Sequence, residues 1–178
     1  MNTILMMEEV NLFCGDHDPS ASKHLTLTEI KLPALQEKFV EHHGGGARVA
    51  IEVNVGIEKL ECTFKLNGFD PDLLVMFGLN TKMKNIFTAY GVVRDKRTGA
   101  ATEAKAIIEA RLGKAENSAL SRGSITEGDY ALNEITHYEL WHDGNPKVVW
   151  DFFENRWEID GVDENADVNR ILRITSSS

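Results

Sequence analysis

The sequence predicts a mainly β, antiparallel fold: a β-sandwich or partial barrel with two long hairpins and one or two short helices. Three observations carry this. Apolar and polar residues alternate with period two over long stretches, helical periodicity is confined to one short segment, and glycine-containing turns separate the alternating runs. With 178 residues, 42% of them hydrophobic, the chain can bury one sizeable core, so residues 1–178 read as a single domain.

Residues 1–10 read as a mildly apolar N-terminal extension. It lacks a basic start and carries Glu8 and Glu9, so it is no signal peptide, and no run approaches the ~18 apolar residues of a membrane span. The chain reads as cytosolic when made, with no membrane partner. "LTLTEIKLP" (25–33) holds the β-formers Thr26, Thr28 and Ile30 and ends at a proline. "ALQEKFVEH" (34–42) then runs into "HGGGA", after which Val49, Ile51, Val53 and Val55 alternate with Ala50, Glu52 and Asn54. Leu60, Cys62, Phe64 and Leu66 continue the pattern against Glu61, Thr63 and Lys65, with Gly56 marking a bulge between the halves. Residues 34–66 are therefore predicted to form one extended hairpin with its tip at 42–47, unusually long for a self-contained domain.

A short helix is predicted over 70–78, with Asp70 as N-cap, Pro71 in the first turn and Gly78 as the stop; Leu73, Leu74 and Phe77 would bury it. A second hairpin spans 87–112 around the turn "DKRTG", with Ala104, Ala106, Ile108, Ala110 and Leu112 on one face and Glu103, Lys105, Glu109 and Arg111 on the other. Residues 113–128 are polar and read as a loop, with a short weak helix as the alternative. Strands resume over 129–141, turn at "HDGN" (142–145) and return over 147–153, with Trp141, Trp150 and Trp157 set among apolar neighbours as core residues.

The formal charge of −9 argues against a surface built to neutralise nucleic-acid phosphates or anionic lipid. Asp16, His17 and Asp18 are neighbours that cannot easily close on one ion, and read as a solvated turn before Pro19. His42 and His43 point to opposite sides of a strand end and cannot share a metal. "GGG" at 44–46 follows a strand like a phosphate loop, but lacks GK[ST] and does not open onto a helix. There is no Gly-x-Ser-x-Gly elbow and no Cys/His nucleophile pair, so no enzyme, metal or cofactor is indicated. Cys14 and Cys62 are too few for a disulfide framework. Cys62 fits the apolar register, and Cys14 reads as a loop thiol able to pair between subunits in an oxidising medium. The sequence holds more strand than its core requires, which would leave edges open in a monomer; closing them on copies of itself in a symmetric ring is one remedy.

The ordered stretches "NLF" (11–13), "LTLTEIKLPALQEKFVEHHGGG" (25–46), "VAIEVNVGIEKLECTFKLNGFDPDLLVMFGL" (49–79), "YGVVRDKRTGAA" (90–101), "EARLGKAE" (109–116) and "HYELWHDGNPKVVWDFFENRWEIDGVD" (137–163) resemble the major tail tube proteins of contractile-tailed bacteriophages and R-type pyocins, over nearly the whole chain. The sequence departs from the family pattern before "NLF", in the loop 118–128, and in "GGG" where the family has a glycine-methionine pair.

The resemblance implies hexameric rings stacked into a hollow tube, each subunit adding two long hairpins to a continuous inner β-barrel. The tube would be a conduit for DNA, or a puncturing tube, inside a contracting sheath. The implied partners are copies of the chain itself, the tail sheath, baseplate and tail terminator proteins, and, in the lumen without specific binding, the tape measure protein and DNA. No cofactor is implied. The implied location is the virion tail tube, after synthesis in the host bacterial cytoplasm.

His42, His43, Gly44, Gly45, Gly46, Ala47 and Arg48 would then form an inter-ring contact. Glu52, Asn54, Glu61, Thr63, Glu103 and Glu109 are the candidates for the lumen wall, where negative charge would repel a polyanion, with solvent or the sheath as their alternative surroundings. The inner tube of type VI secretion shares the ring logic, and a monomeric ligand-binding β-sandwich is the alternative from another class. The latter predicts clustered exposed aromatics.

Overall fold

The computed structural model describes residues 2–15, 17–78 and 84–174; Asp16, Leu79 and the terminal serines fall outside them. Strands β1 (Leu5–Cys14), β2 (Leu27–Lys31), β3 (Glu37–His42), β4 (Ile51–Ile57) and β5 (Cys62–Asn67) precede helix α1 (Pro71–Met76). Strands β6 (Asn85–Asp95), β7 (Ala101–Asn117), β8 (Glu127–His142), β9 (Asn145–Asp151), β10 (Arg156–Ile159) and β11 (Val162–Asp163) follow, and helix α2 (Ala166–Leu172) comes last. All strand pairings are antiparallel.

The architecture turns on β7 and β8, long enough to serve two layers. The first half of β8 pairs with β5 and the second half with β9, while β7 follows β8 throughout. The change of layer falls where Glu134 adopts a φ of 50° and where the β7 register shifts between Glu109 and Arg111 and between Leu112 and Lys114. One layer therefore runs β2, β5, β8, β7, and the other β1, β6, β7, β8, β9, β10, β11. The sheet folds over on itself without closing into a barrel.

Between the layers lies one core. Cys62, Phe64, Leu66, Tyr130 and Leu132 from the first meet Leu12, Phe87, Ile108 and Tyr138 from the second. The strict alternation of β5, buried at Cys62, Phe64 and Leu66 and exposed between them, is the pattern expected of a strand with one covered face. Phe64 and Tyr130 stack with centroids 5.1 Å apart.

Several sequence expectations are corrected. Residues 5–10 of the supposed extension belong to β1, which pairs with β6 along its length, because β6 offers a free edge. The loop expected over 113–128 is shorter, since β7 continues to Asn117 against Gly128. The helix expected over 70–78 is α1, capped by Asp70 Oδ1 accepting from Leu73 N–H at 3.1 Å; it buries Leu73, whereas Leu74 and Phe77 are exposed. Trp141 is not core: it lies on an outer face with Lys105 Nζ 4.7 Å above its ring. Trp150 and Trp157 are only half-buried.

Candidate assembly surface

Strands β3 and β4 are rich in Val, Ile and Phe, which favours extended backbone, yet among the described residues they pair with nothing but each other. All thirteen of their residues are exposed. Val40 opposite Val53 and His42 opposite Ile51 make one face; Phe39 opposite Asn54 and Glu41 opposite Glu52 make the other. A bulge leaves Val55 unpaired, and there Gly56 takes a φ of 140° while its N–H donates to Asn54 Oδ1 at 2.9 Å. A two-stranded ribbon with no covered face is marginal in water. Full burial of each Val or Ile would contribute about 1.5–3 kcal/mol.

At the tip, His42 closes β3 and residues 43–50 connect it to β4, with Ala47 N–H donating to Gly44 O at 3.0 Å. His42, His43, Gly45, Gly46, Ala47 and Arg48 are exposed and Gly44 is half-buried. A Cβ built on Gly45 or Gly46 would meet nothing within 4 Å, and neither has a positive φ. Within one copy nothing requires glycine at those two positions.

At the base of the ribbon lies a groove of about 700 Å³. Ile57, Trp150 and Trp157 line it, and its rim carries Glu37, Glu58, Glu61 and Glu134 against Lys59. Glu61 pairs with Lys59 at 2.7 Å, and Glu134 lies within 3.6 and 3.8 Å of Lys84 and Arg111.

The chain matches the model of the family described as phage tail tube protein FII over residues 9–172. It belongs to that family. Two solved structures share its fold. One is a chain of the PVC sheath-tube complex in the extended state, an extracellular contractile injection system, with a TM-score of 0.54 and 11% identity, covering 75% of this chain and 88% of that one. The other comes from the baseplate of the anti-feeding prophage, 6-fold symmetrised, with a TM-score of 0.54 and 12% identity, covering 79% and 97%. No curated protein matches.

In this tail tube protein the six candidates for the lumen wall do not share a surface. Thr63 lies on the outer face of the first layer, Glu61 just before that strand at the groove, Glu103 and Glu109 on the outer face of the second layer, across the core from Thr63, and Glu52 and Asn54 on the projecting ribbon. The outer face of the first layer is also not uniformly acidic. Lys31, Thr63, Ala131 and Lys114 form one row across four strands, and Glu29, Lys65, Asp129 and Glu116 the next.

Cys14 is not a loop thiol. It ends β1 opposite Phe87 and is buried, and burial pushes both its thiol and that of Cys62 up to about 12, so neither is poised to pair between subunits. The turn after it behaves as a polar turn, with Asp18 Oδ1 accepting from Ser20 N–H at 2.8 Å. Among the described residues no three His, Cys, Asp or Glu side chains gather as a metal would need, and no helix is long and apolar enough to cross a membrane.

Sequence reasoning missed a polar row on the second outer face: Glu109, His137, Asp151 and Arg156, in register across four strands. His137 Nδ1 lies 2.9 Å from Asp151 Oδ2 and its Nε2 2.7 Å from Glu139 Oε1. Burial works to lower the His137 pKa, but the two carboxylates outweigh it and hold it above the ordinary imidazole value. Alternation in β8, where His137 and Glu139 face away from the buried Thr136 and Tyr138, is the signal that could have found them. Their convergence depends on the register of β7, β8 and β9.

Proposed function

We propose that the chain is the tube subunit of a contractile tail, with six copies in each ring and rings stacked into a hollow conduit. The β3–β4 ribbon is the observation that carries this reading: an apolar element without a partner in its own copy has a physical reason to exist only where other copies cover it. The sheath-tube complex and the 6-fold symmetrised baseplate among its structural neighbours support the same arrangement. The subunit acts as a wall and not as a catalyst. Its partners are further copies, a sheath outside, baseplate and terminator proteins at the ends, and tape measure protein and DNA inside, in a virion tail built in the bacterial cytoplasm.

We assign the conduit wall to the outer face of the first layer together with the ribbon, retaining Glu52, Asn54, Glu61 and Thr63. Glu103 and Glu109 belong to the outside. The wall then carries basic and acidic rows in succession, and a passing polyanion meets attraction and repulsion close together, with no continuous basic track to hold it. Negative-stain electron microscopy of the purified protein, with mass by light scattering, tests the reading. Hollow rings or tubes of uniform width are expected, and a persistent monomer at every concentration, also in the presence of a baseplate, would refute it.

A further inference from the structure

Helix α2 is held to its own subunit by polar side chains. Asn155, in the turn between β9 and β10, donates from Nδ2 to Asn169 Oδ1 at 2.7 Å, and its carbonyl accepts from Nδ2 of Asn165 and Asn169 at 2.9 and 3.2 Å. Val168, Ile171 and Leu172, spaced i, i+3 and i+4, form an apolar stripe on another side of the helix, and all three are exposed, Ile171 to 66%. A surface helix normally turns such a stripe to the core. This one grips its subunit with asparagines and shows the stripe outward.

Helix α1 has a matching face. It buries Leu73, while Phe69 just before it, Val75 and Phe77 are exposed, Val75 to 72%. The two faces differ in charge: residues 69–78 contain two aspartates and no Lys or Arg, whereas residues 165–174 contain one aspartate and two arginines. Asp70 is tied to Lys23 and Asp167 to Arg170, which leaves Asp72 and Arg173, neither with an ion pair among the described residues.

One copy cannot bring the two faces together. Phe77 bridges Leu112 of β7 on the side where β6 has ended, since β6 pairs with β7 only as far as Ala110. Asn155 holds α2 on the other flank, beyond β8 and β9.

We infer that α2 of each copy packs its stripe on the α1 face of the copy beside it in the ring, with Arg173 meeting Asp72. The inference rests on the tube reading and names a side-to-side contact within one ring. Because the two faces differ and lie on opposite flanks, the contact is heterologous, and a ring of six closes it.

The test is cross-linking of the full-length protein carrying Val75→Cys and Ile171→Cys under mild oxidation. The two native thiols are buried and do not compete. A ladder of covalent multimers that stops at six is expected, with none from either single variant. In parallel, Asp72→Arg is expected to lower the assembled fraction about tenfold or more, and Asp72→Arg with Arg173→Asp to restore most of it. The substituted positions are exposed, so these variants keep the monomer fold, which circular dichroism checks. A ladder running past six, or normal tubes from Asp72→Arg with no ladder, would overturn the inference and leave the tube reading standing. Absence of rings and tubes from the unaltered protein would remove both.

Discussion

Glu41 and Glu52 stand directly opposite each other on one face of the ribbon, two carboxylates in register across a pair of strands that nothing else supports. Like charges so placed weaken a hairpin, and an opposite pair contributes about 0.2–1 kcal/mol. In the isolated subunit the amides of 37–57 are therefore expected to exchange with solvent much faster than those of β5, and Glu52→Lys to slow them several-fold. Hydrogen exchange read by mass spectrometry checks both. Protection of the native ribbon equal to that of the sandwich would contradict this account.

Lys23 Nζ and Asp70 Oδ2 are 2.7 Å apart with both side chains largely closed off from solvent, and Asp70 also caps α1. Removing one partner strands the other charge. Asp70→Ala is expected to cost about 3 kcal/mol or more in urea unfolding, while Asp70→Asn, which keeps an acceptor for the cap, costs less. Equal losses would assign the whole effect to the charge.

The two thiols should be silent in the folded protein. At pH 8 a thiol reagent is expected to label neither Cys14 nor Cys62 until denaturant is added, and then both. Rapid labelling of Cys14 in the native protein would place it at the surface.

His137 and Asp151 give the fold a pH dependence of definite sign. The raised His137 pKa means that its contribution is complete below the ordinary imidazole value near 6.5 and is lost as pH rises through the folded value. For Asp151, burial works to raise the pKa, but the Glu154 N–H and His137 outweigh it; its lowered pKa gives a contribution present above the ordinary carboxylate range and lost as pH falls. The urea midpoint of the unassembled subunit should thus decline as pH rises above the ordinary imidazole value near 6.5, and His137→Gln should flatten that decline. An unchanged slope in the variant would assign it to other groups.

How far the sequence carries depends on what lies next to each residue. Cys62, Phe64 and Leu66 were legible because one face of β5 is covered by the same chain. Val49, Ile51, Val53 and Val55 follow the same pattern and are exposed, since alternation says which residues share a side and not whether the same chain covers that side. Glu103 and Glu109 were correctly read as facing away from the core, but period two distinguishes the sides of a strand and not the layer it occupies, and β7 changes layers. Cys14 looked like loop because Gly15 and a polar run follow it. Its burial comes from β6, more than seventy residues further along.

The ribbon also makes the subunit directional. On the tube reading proposed above, copies joined through this projecting arm meet by unlike surfaces, and a column built from them would end in a free arm on one side only. Growth at the two ends is then chemically different work. A protein that starts such a column would need to match only one of these surfaces, and a protein that stops it only the other, so the length could be set at one end without disturbing the beginning.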